Sequence, residues 1–251
     1  WLPAPAWFNL RYTETQPGLH GSMRVCICSM QTFHLETFDA DADLADNTIT
    51  LDMPVGNYYQ IEVEPTCGLA DENGVMDAYD SARTFYSPLR GNAQLIWFQQ
   101  GFVEYRFPNL TNPLLELHEI SFCMELCSEA PGFLEDWPSD ITVSINGHEV
   151  ATYCSPGDYG ARRGRLTPPA WPNGRTQYGL LKNFSVRESG SYLDGRLIDP
   201  QLSLKDLKLQ DHPYISLLIQ IKKDARHIGG INLFGEKYGD FPQGIVMNLI
   251  Y

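Results

Sequence analysis

The residues best suited to chemistry lie between Trp137 and Tyr178. Trp137-Pro-Ser-Asp-Ile-Thr is followed there by Ser155-Pro-Gly-Asp-Tyr-Gly-Ala-Arg-Arg-Gly-Arg-Leu-Thr-Pro-Pro-Ala-Trp171. Trp137, Tyr159, Trp171 and Tyr178 offer flat faces for stacking on sugar rings or other planar ligands, while Ser139, Asp140, Asp158, Arg162 and Arg163 supply donors and acceptors for hydroxyls or an anion. Aromatic platforms beside a few convergent polar groups are the usual ingredients of a small-molecule pocket. The competing reading is that Pro, Gly and aromatic residues pack a long loop over the body of the protein. Residue types alone leave both open.

Other chemistries are thinner. Glu104 and Glu125 sit in apolar runs, where strand alternation either aims them into a cleft as a glycosidase acid pair or places them on a solvated face. Phosphate loops, nucleophile elbows and His-Glu-x-x-His helices are absent, so no catalytic residue is assigned. Cys26-x-Cys28 and Cys123-x-x-x-Cys127 have even spacings that put each pair on one strand face, but no His or Cys at zinc-like spacing completes either. They read as core thiols, the six histidines as isolated residues, and no metal or cofactor is expected. The alternating acidic run Asp39–Asp46 lacks the Gly and terminal Glu of a calcium loop. Paired glycines in Arg226-His-Ile-Gly-Gly-Ile-Asn-Leu-Phe-Gly235 permit close backbone approach, to a neighbouring strand or to a ligand.

Strands must position these residues. Alternating or β-branched runs occur at Met23–Phe33, Thr48–Met53, Tyr58–Val63, Ala93–Phe98, Gly101–Phe107, Glu119–Cys127, Asp140–Ile145, His148–Cys154, Gln177–Val186, Tyr214–Lys222 and Ile245–Tyr251. Short strands punctuated by Gly, Pro and Asn/Asp predict an antiparallel, jelly-roll-like β-sandwich with few short helices. Asn146-Gly147, between two such runs, predicts a type I′ hairpin. Ser203–Leu209 supports one or two helical turns, and Asp77–Tyr86 another short piece. Pro108-Asn-Leu-Thr-Asn-Pro113 interrupts the pattern, which suggests residues 1–110 as an additional N-terminal β-rich portion and 111–251 as the sandwich and effector-binding domain.

Composition sets the outer bounds. With 251 residues and 43% hydrophobic content the chain is long enough to bury a genuine core, and no apolar run is long enough to make a membrane-spanning helix. A net charge of -13 repels phosphate backbones and argues against nucleic-acid binding through the chain's own field. Six irregularly spaced cysteines fit reduced thiols in a cytoplasmic protein. The start at Trp1, with neither initiator Met nor signal-peptide pattern, reads as a fragment or processed chain.

Several motifs, in order, carry a family resemblance. Pro65-Thr-Cys-Gly-Leu69, Gly101-Phe-Val-Glu-Tyr-Arg-Phe-Pro-Asn109, Ile120-Ser-Phe-Cys-Met-Glu-Leu-Cys-Ser-Glu129, Trp137-Pro-Ser-Asp, Ile145-Asn-Gly, Ser155-Pro-Gly-Asp-Tyr-Gly-Ala-Arg-Arg-Gly and His227-Ile-Gly-Gly-Ile-Asn-Leu-Phe-Gly resemble the long C-terminal region of ArsR-family winged-helix transcriptional regulators of bacteria. The resemblance runs from about Arg24 onward. It implies a β-rich sensor of a small-molecule effector in a homodimeric cytoplasmic regulator. DNA would be bound only by a winged helix outside this chain. The helices through which short ArsR repressors bind metals have no counterpart in this sequence, so metal sensing does not carry over. A weaker association of such long forms with carbohydrate use makes a sugar the expected effector. Trp137 and Trp171 would stack on it, and Asp140, Asp158, Arg162 and Arg163 would hydrogen-bond. A glycan-active jelly roll using Glu104 and Glu125, or a structural dimerisation domain, are the alternatives.

Overall fold

The computed structural model describes residues 47–77 and 80–251, together with three short strands before them: β1 (Arg11–Tyr12), β2 (Ser22–Val25) and β3 (Leu35–Phe38), which form an antiparallel sheet. Cys26, Cys28 and the acidic run at 39–46 lie outside the described residues. The main body contains β4 (Thr48–Met53), β5 (Gln60–Asp71), β6 (Gly74–Val75), β7 (Leu95–Pro108), β8 (Glu119–Cys127), β9 (Ser139–Ile145) and β10 (His148–Ser155). It continues with β11 (Leu180–Arg187), β12 (Gly190–Leu193), β13 (Arg196–Asp199), β14 (Tyr214–Ile221), β15 (Ile231–Phe234) and β16 (Ile245–Ile250). Among the described residues, helical structure is limited to 3-10 turns at Ala82–Tyr86, Arg90–Asn92 and Leu209–Asp211. At Ser203, the side chain and backbone N–H both donate to Asp206 at 2.8 Å, but only turns follow.

All pairings in the main body are antiparallel, and they form two facing leaves. One has the order β4-β16-β8-β11, extended by β12 and β13; the other has β7-β14-β9-β10, with β5 on the outer edge of β7. Orders 4-16-8-11 and 7-14-9-10 are those of a jelly roll. β15 pairs with both β7 and β8 and joins the leaves at one corner. Alternation fills the space between them: Val103, Tyr105 and Phe107 of β7 meet Ile120, Phe122 and Met124 of β8, all fully buried. Phe107 and Phe122 meet edge to face with ring centroids 5.1 Å apart. Tyr105 donates its hydroxyl to the Val55 carbonyl at 2.6 Å, so its polar end is satisfied inside the core.

Two features of the local sequence matter for the site. Asn146 and Gly147 adopt φ of 47° and 82°, as a type I′ turn requires, and start the β9–β10 hairpin, whose register shifts by one residue between Glu149 and Ala151. Ala93–Phe98 and Gly101–Phe107, which read as two runs, belong to the single strand β7. Its inward phase changes between Phe98 and Val103, where Gly101 has φ 114° and a Cβ would lie 2.0 Å from the Glu62 carbonyl oxygen.

The boundary expected near residue 110 does not divide the described residues. β4, β5 and β7 are hydrogen-bonded into the leaves formed by later strands and share one core with them; Pro108–Leu117 is the crossing from one leaf to the other. Asn109 holds that crossing by donating to the His212 carbonyl at 2.9 Å and accepting the Thr111 N–H at 3.1 Å. Phe122→Ala should therefore destabilise the whole unit by about 3–5 kcal/mol. The expected readout is one urea transition with a lowered midpoint; two transitions would contradict a shared core.

Candidate functional site

The loop over residues 156–179 is a lid over hydrophobic residues on the outer face of the sandwich. Leu95 and Trp97 of β7, Cys127 of β8 and Phe234 of β15 face away from the main core, and Trp171 and Tyr238 close over them. Trp171 is 5% exposed, meets Trp97 and Tyr238 edge to face at 6.2 and 5.5 Å, and donates its indole N–H to the Thr176 carbonyl at 2.9 Å. Arg163 donates to the carbonyls of Trp171 (3.1 Å) and Pro168 and to the Asn173 side chain (2.9 Å). Asp158, fully buried, accepts the Ala130 N–H at 3.0 Å and the Thr176 hydroxyl at 2.9 Å. Tyr159 stacks on Tyr178 at 5.3 Å, and Arg162 lies 3.6 Å over the Tyr178 ring while pairing with Asp240.

The expected ligand platform is thus committed to packing. Trp137 is half-buried, its buried indole N–H without a partner among the described residues, and Asp140 faces a different cluster. The signal for packing lay in the loop's own composition, since Pro and Trp restrict a loop as readily as they line a pocket.

Glu104 and Glu125 do not form an acid pair. Their neighbours Val103 and Tyr105, and Met124 and Leu126, all point into the core, so the two carboxylates sit on the outer faces of opposite leaves. Glu104 accepts from Ser216 at 2.9 Å and pairs with Arg106 at 3.3 Å. Glu125 is completely buried under the loops and accepts backbone N–H groups of Gly179, Asp240 and Phe241 at 2.7, 2.9 and 3.0 Å. Gly239 must lack a side chain, because its Cβ would lie 2.4 Å from that carboxylate.

Two further acids are buried together where β8 ends. Glu129 accepts from Asn232 at 2.8 Å, and burial first, then the nearby Asp158 charge, pushes its pKa up to about 8. Burial likewise pushes Asp158 up to about 7 against its hydrogen bonds from Ala130, Thr176 and Cys127.

Beside them lies a cluster that sequence spacing did not reveal. Asp140 of β9 and Cys154 of β10 are directly opposite in register, and His227 reaches them from the β14–β15 loop. His227 Nδ1 lies 3.1 Å from Asp140 Oδ1 and 3.8 Å from Cys154 Sγ. Both contacts use the same ring nitrogen, whereas a nucleophile–base–orienter relay needs both nitrogens. Burial and the Asp140 carboxylate push the Cys154 thiol up, which also disfavours a nucleophilic role. Burial opposes ionisation of Asp140, yet hydrogen bonds from Cys154 and His227 prevail and hold its carboxyl below the usual range.

A cleft of about 700 Å³ opens between the β5–β6 turn, the 3-10 turn at Arg90–Asn92 and the loop following β15. Asp52, Asp71, Glu72, Asn73, Asn92, Gln94, Glu236 and Lys237 contribute to its lining, and none of the eight expected ligand residues does. Asp52 accepts the Gly244 N–H at 2.9 Å, Gln94 Oε1 accepts the Lys237 N–H at 3.0 Å, and Lys237 Nζ meets Glu72 at 2.7 Å. Burial, reinforced by the Glu236 charge, raises the Asp52 pKa despite the Gly244 amide. These residues come from four distant segments, and no local motif announced them.

No protein-family model matches this chain, and no curated protein does.

Two outcomes follow from the packing. Trp171→Ala should cost about 3–5 kcal/mol by emptying the second core, read as a fall in melting temperature. Glu129 and Asp158 keep a proton in the folded state that the unfolded chain has released, so their contribution to stability is fully present below about pH 4. It is lost as pH rises through about 7 and about 8. Stability measured by urea titration should fall across this window by up to about 1.4 kcal/mol per pH unit for each group, and Glu129→Gln should flatten the upper part.

Proposed function

We propose that this chain is an effector-binding module whose ligand is a small hydroxyl-rich molecule, a sugar or sugar derivative, held in the cleft beside Asp52 and Glu236. The observation that carries this reading is the cleft's size and lining: about 700 Å³, with carboxylates, side-chain amides and a lysine around it. Carboxylates and amide oxygens accept hydroxyl protons, while amide N–H groups and Lys237 donate to hydroxyl oxygens. Four acids against one lysine oppose phosphorylated or carboxylated ligands, in keeping with the net charge of -13. The volume lies within the range of small-molecule sites. Jelly rolls include lectins, which supports the ligand class by analogy of fold only.

The regulatory part of the proposal rests on the motif resemblance. A cytoplasmic homodimer would carry this module beside a winged helix, and ligand occupancy would bias the arrangement that the winged helix reads on DNA. The sugar is assigned to the cleft rather than to Trp137 and Trp171.

Calorimetry against mono- and oligosaccharides, with sugar phosphates as a contrast, tests the ligand class. At least one neutral sugar should bind, and Asn92→Ala and Glu236→Ala should each weaken it about 5- to 20-fold, the effect of one or two lost hydrogen bonds. Absence of binding across the panel, or binding unchanged in both variants, overturns the proposal.

A further inference from the structure

The cluster of Asp140, Cys154 and His227 combines three chemically different donors at one point, independently of the cleft. One ligand atom from each of Asp140, Cys154 and His227 lies within 4.8 Å of the other two, and His227 Nδ1 is 3.1 Å from Asp140 Oδ1 and 3.8 Å from Cys154 Sγ. In a tetrahedral zinc site with ordinary bond lengths, neighbouring donors are separated by roughly 3.3–3.6 Å. Shifts of a few tenths of an ångström would bring the two His227 pairs to that spacing.

The scaffold holds the donors in place. The β9–β10 hairpin sets Cys154 opposite Asp140 through a one-residue register shift between Glu149 and Ala151. The second carboxylate oxygen of Asp140 accepts the His227 N–H at 3.1 Å, and the Asp140 N–H donates to the His227 carbonyl at 2.9 Å. Oδ1 is thereby directed to the shared point, in the manner of outer-shell bonds that orient metal ligands. Cys154 is exposed, and the His227 and Asp140 side chains are 32% and 17% exposed, so the point is open to solvent.

We propose that Asp140, Cys154 and His227 form a three-ligand site for a zinc-class divalent cation, with the fourth position taken by water or an exogenous donor. Thiolate and imidazole donors select borderline-soft ions over calcium or magnesium. Binding would displace the thiol proton to solvent and use the tautomer with its proton on Nε2.

Cobalt(II), a spectroscopic stand-in for zinc, tests the site in the intact chain. One equivalent should produce a thiolate-to-cobalt charge-transfer band together with intense tetrahedral d–d bands, and zinc should displace it. Cys154→Ser should abolish the charge-transfer band. Asp140→Asn and His227→Ala should each weaken zinc binding at least tenfold in competition with a chromophoric chelator, while chelator-treated variants keep the parent melting temperature. No charge-transfer band with the parent chain, or a band that survives Cys154→Ser, overturns the proposal and leaves a hydrogen-bonded trio.

Discussion

Strand β7 must bury both of its faces, and much of the remaining structure answers that requirement. Val103, Tyr105 and Phe107 are satisfied by the opposite leaf, but Leu95 and Trp97 point out of the sandwich. Left bare, such large side chains would form an apolar patch of the kind that drives association. The 156–179 loop covers them with Trp171, and the loop following β15 adds Tyr238. Covering also buries polar groups. Asp158 and Glu125 then need backbone N–H partners, and Arg163 is drawn in to bind the carbonyls the lid leaves exposed. The strongest functional signal in the sequence is in large part the polar consequence of one strand's second apolar face.

This explains what was legible and what was not. Strand alternation exposed the sandwich because it depends on neighbours two residues apart, and Asn146-Gly147 fixed a hairpin because two positive φ values are a local demand. The four-residue β15 escaped notice because Ile-Asn-Leu-Phe is buried throughout and shows no alternation. The division near residue 110 failed because Pro and Asn mark any tight crossing, including one inside a single domain. Aromatic residues with arginines and acids have the same composition whether they line a pocket or close a lid; only the exposure of Trp171 and the partners of Arg163 separate the cases.

The candidate sites were hidden for a different reason. Asp140, Cys154 and His227 come together through one strand pairing and one long-range loop contact, and the cleft residues from Asp52 to Lys237 come from separate loops. Neither set has a spacing signature, since the sheet order that unites them is a non-local property of the jelly roll. The acidic composition was informative at a coarser level: it disfavoured anionic partners, and the cleft lining repeats that bias locally.

β15 ties these features together mechanically. It is buried at all four positions and hydrogen-bonded to both β7 and β8, and its Asn232 donates to Glu129. The loop carrying His227 enters it, and the loop carrying Glu236 and Lys237 leaves it. A strand bonded on both edges and packed into the corner between two leaves cannot shift alone without breaking both ladders. Both sites therefore rest on a rigid support, which favours preorganised binding over remodelling of the sandwich. If occupancy of the cleft is signalled onward, the changes that carry it belong to loops and chain ends, where opening costs less than in the leaves.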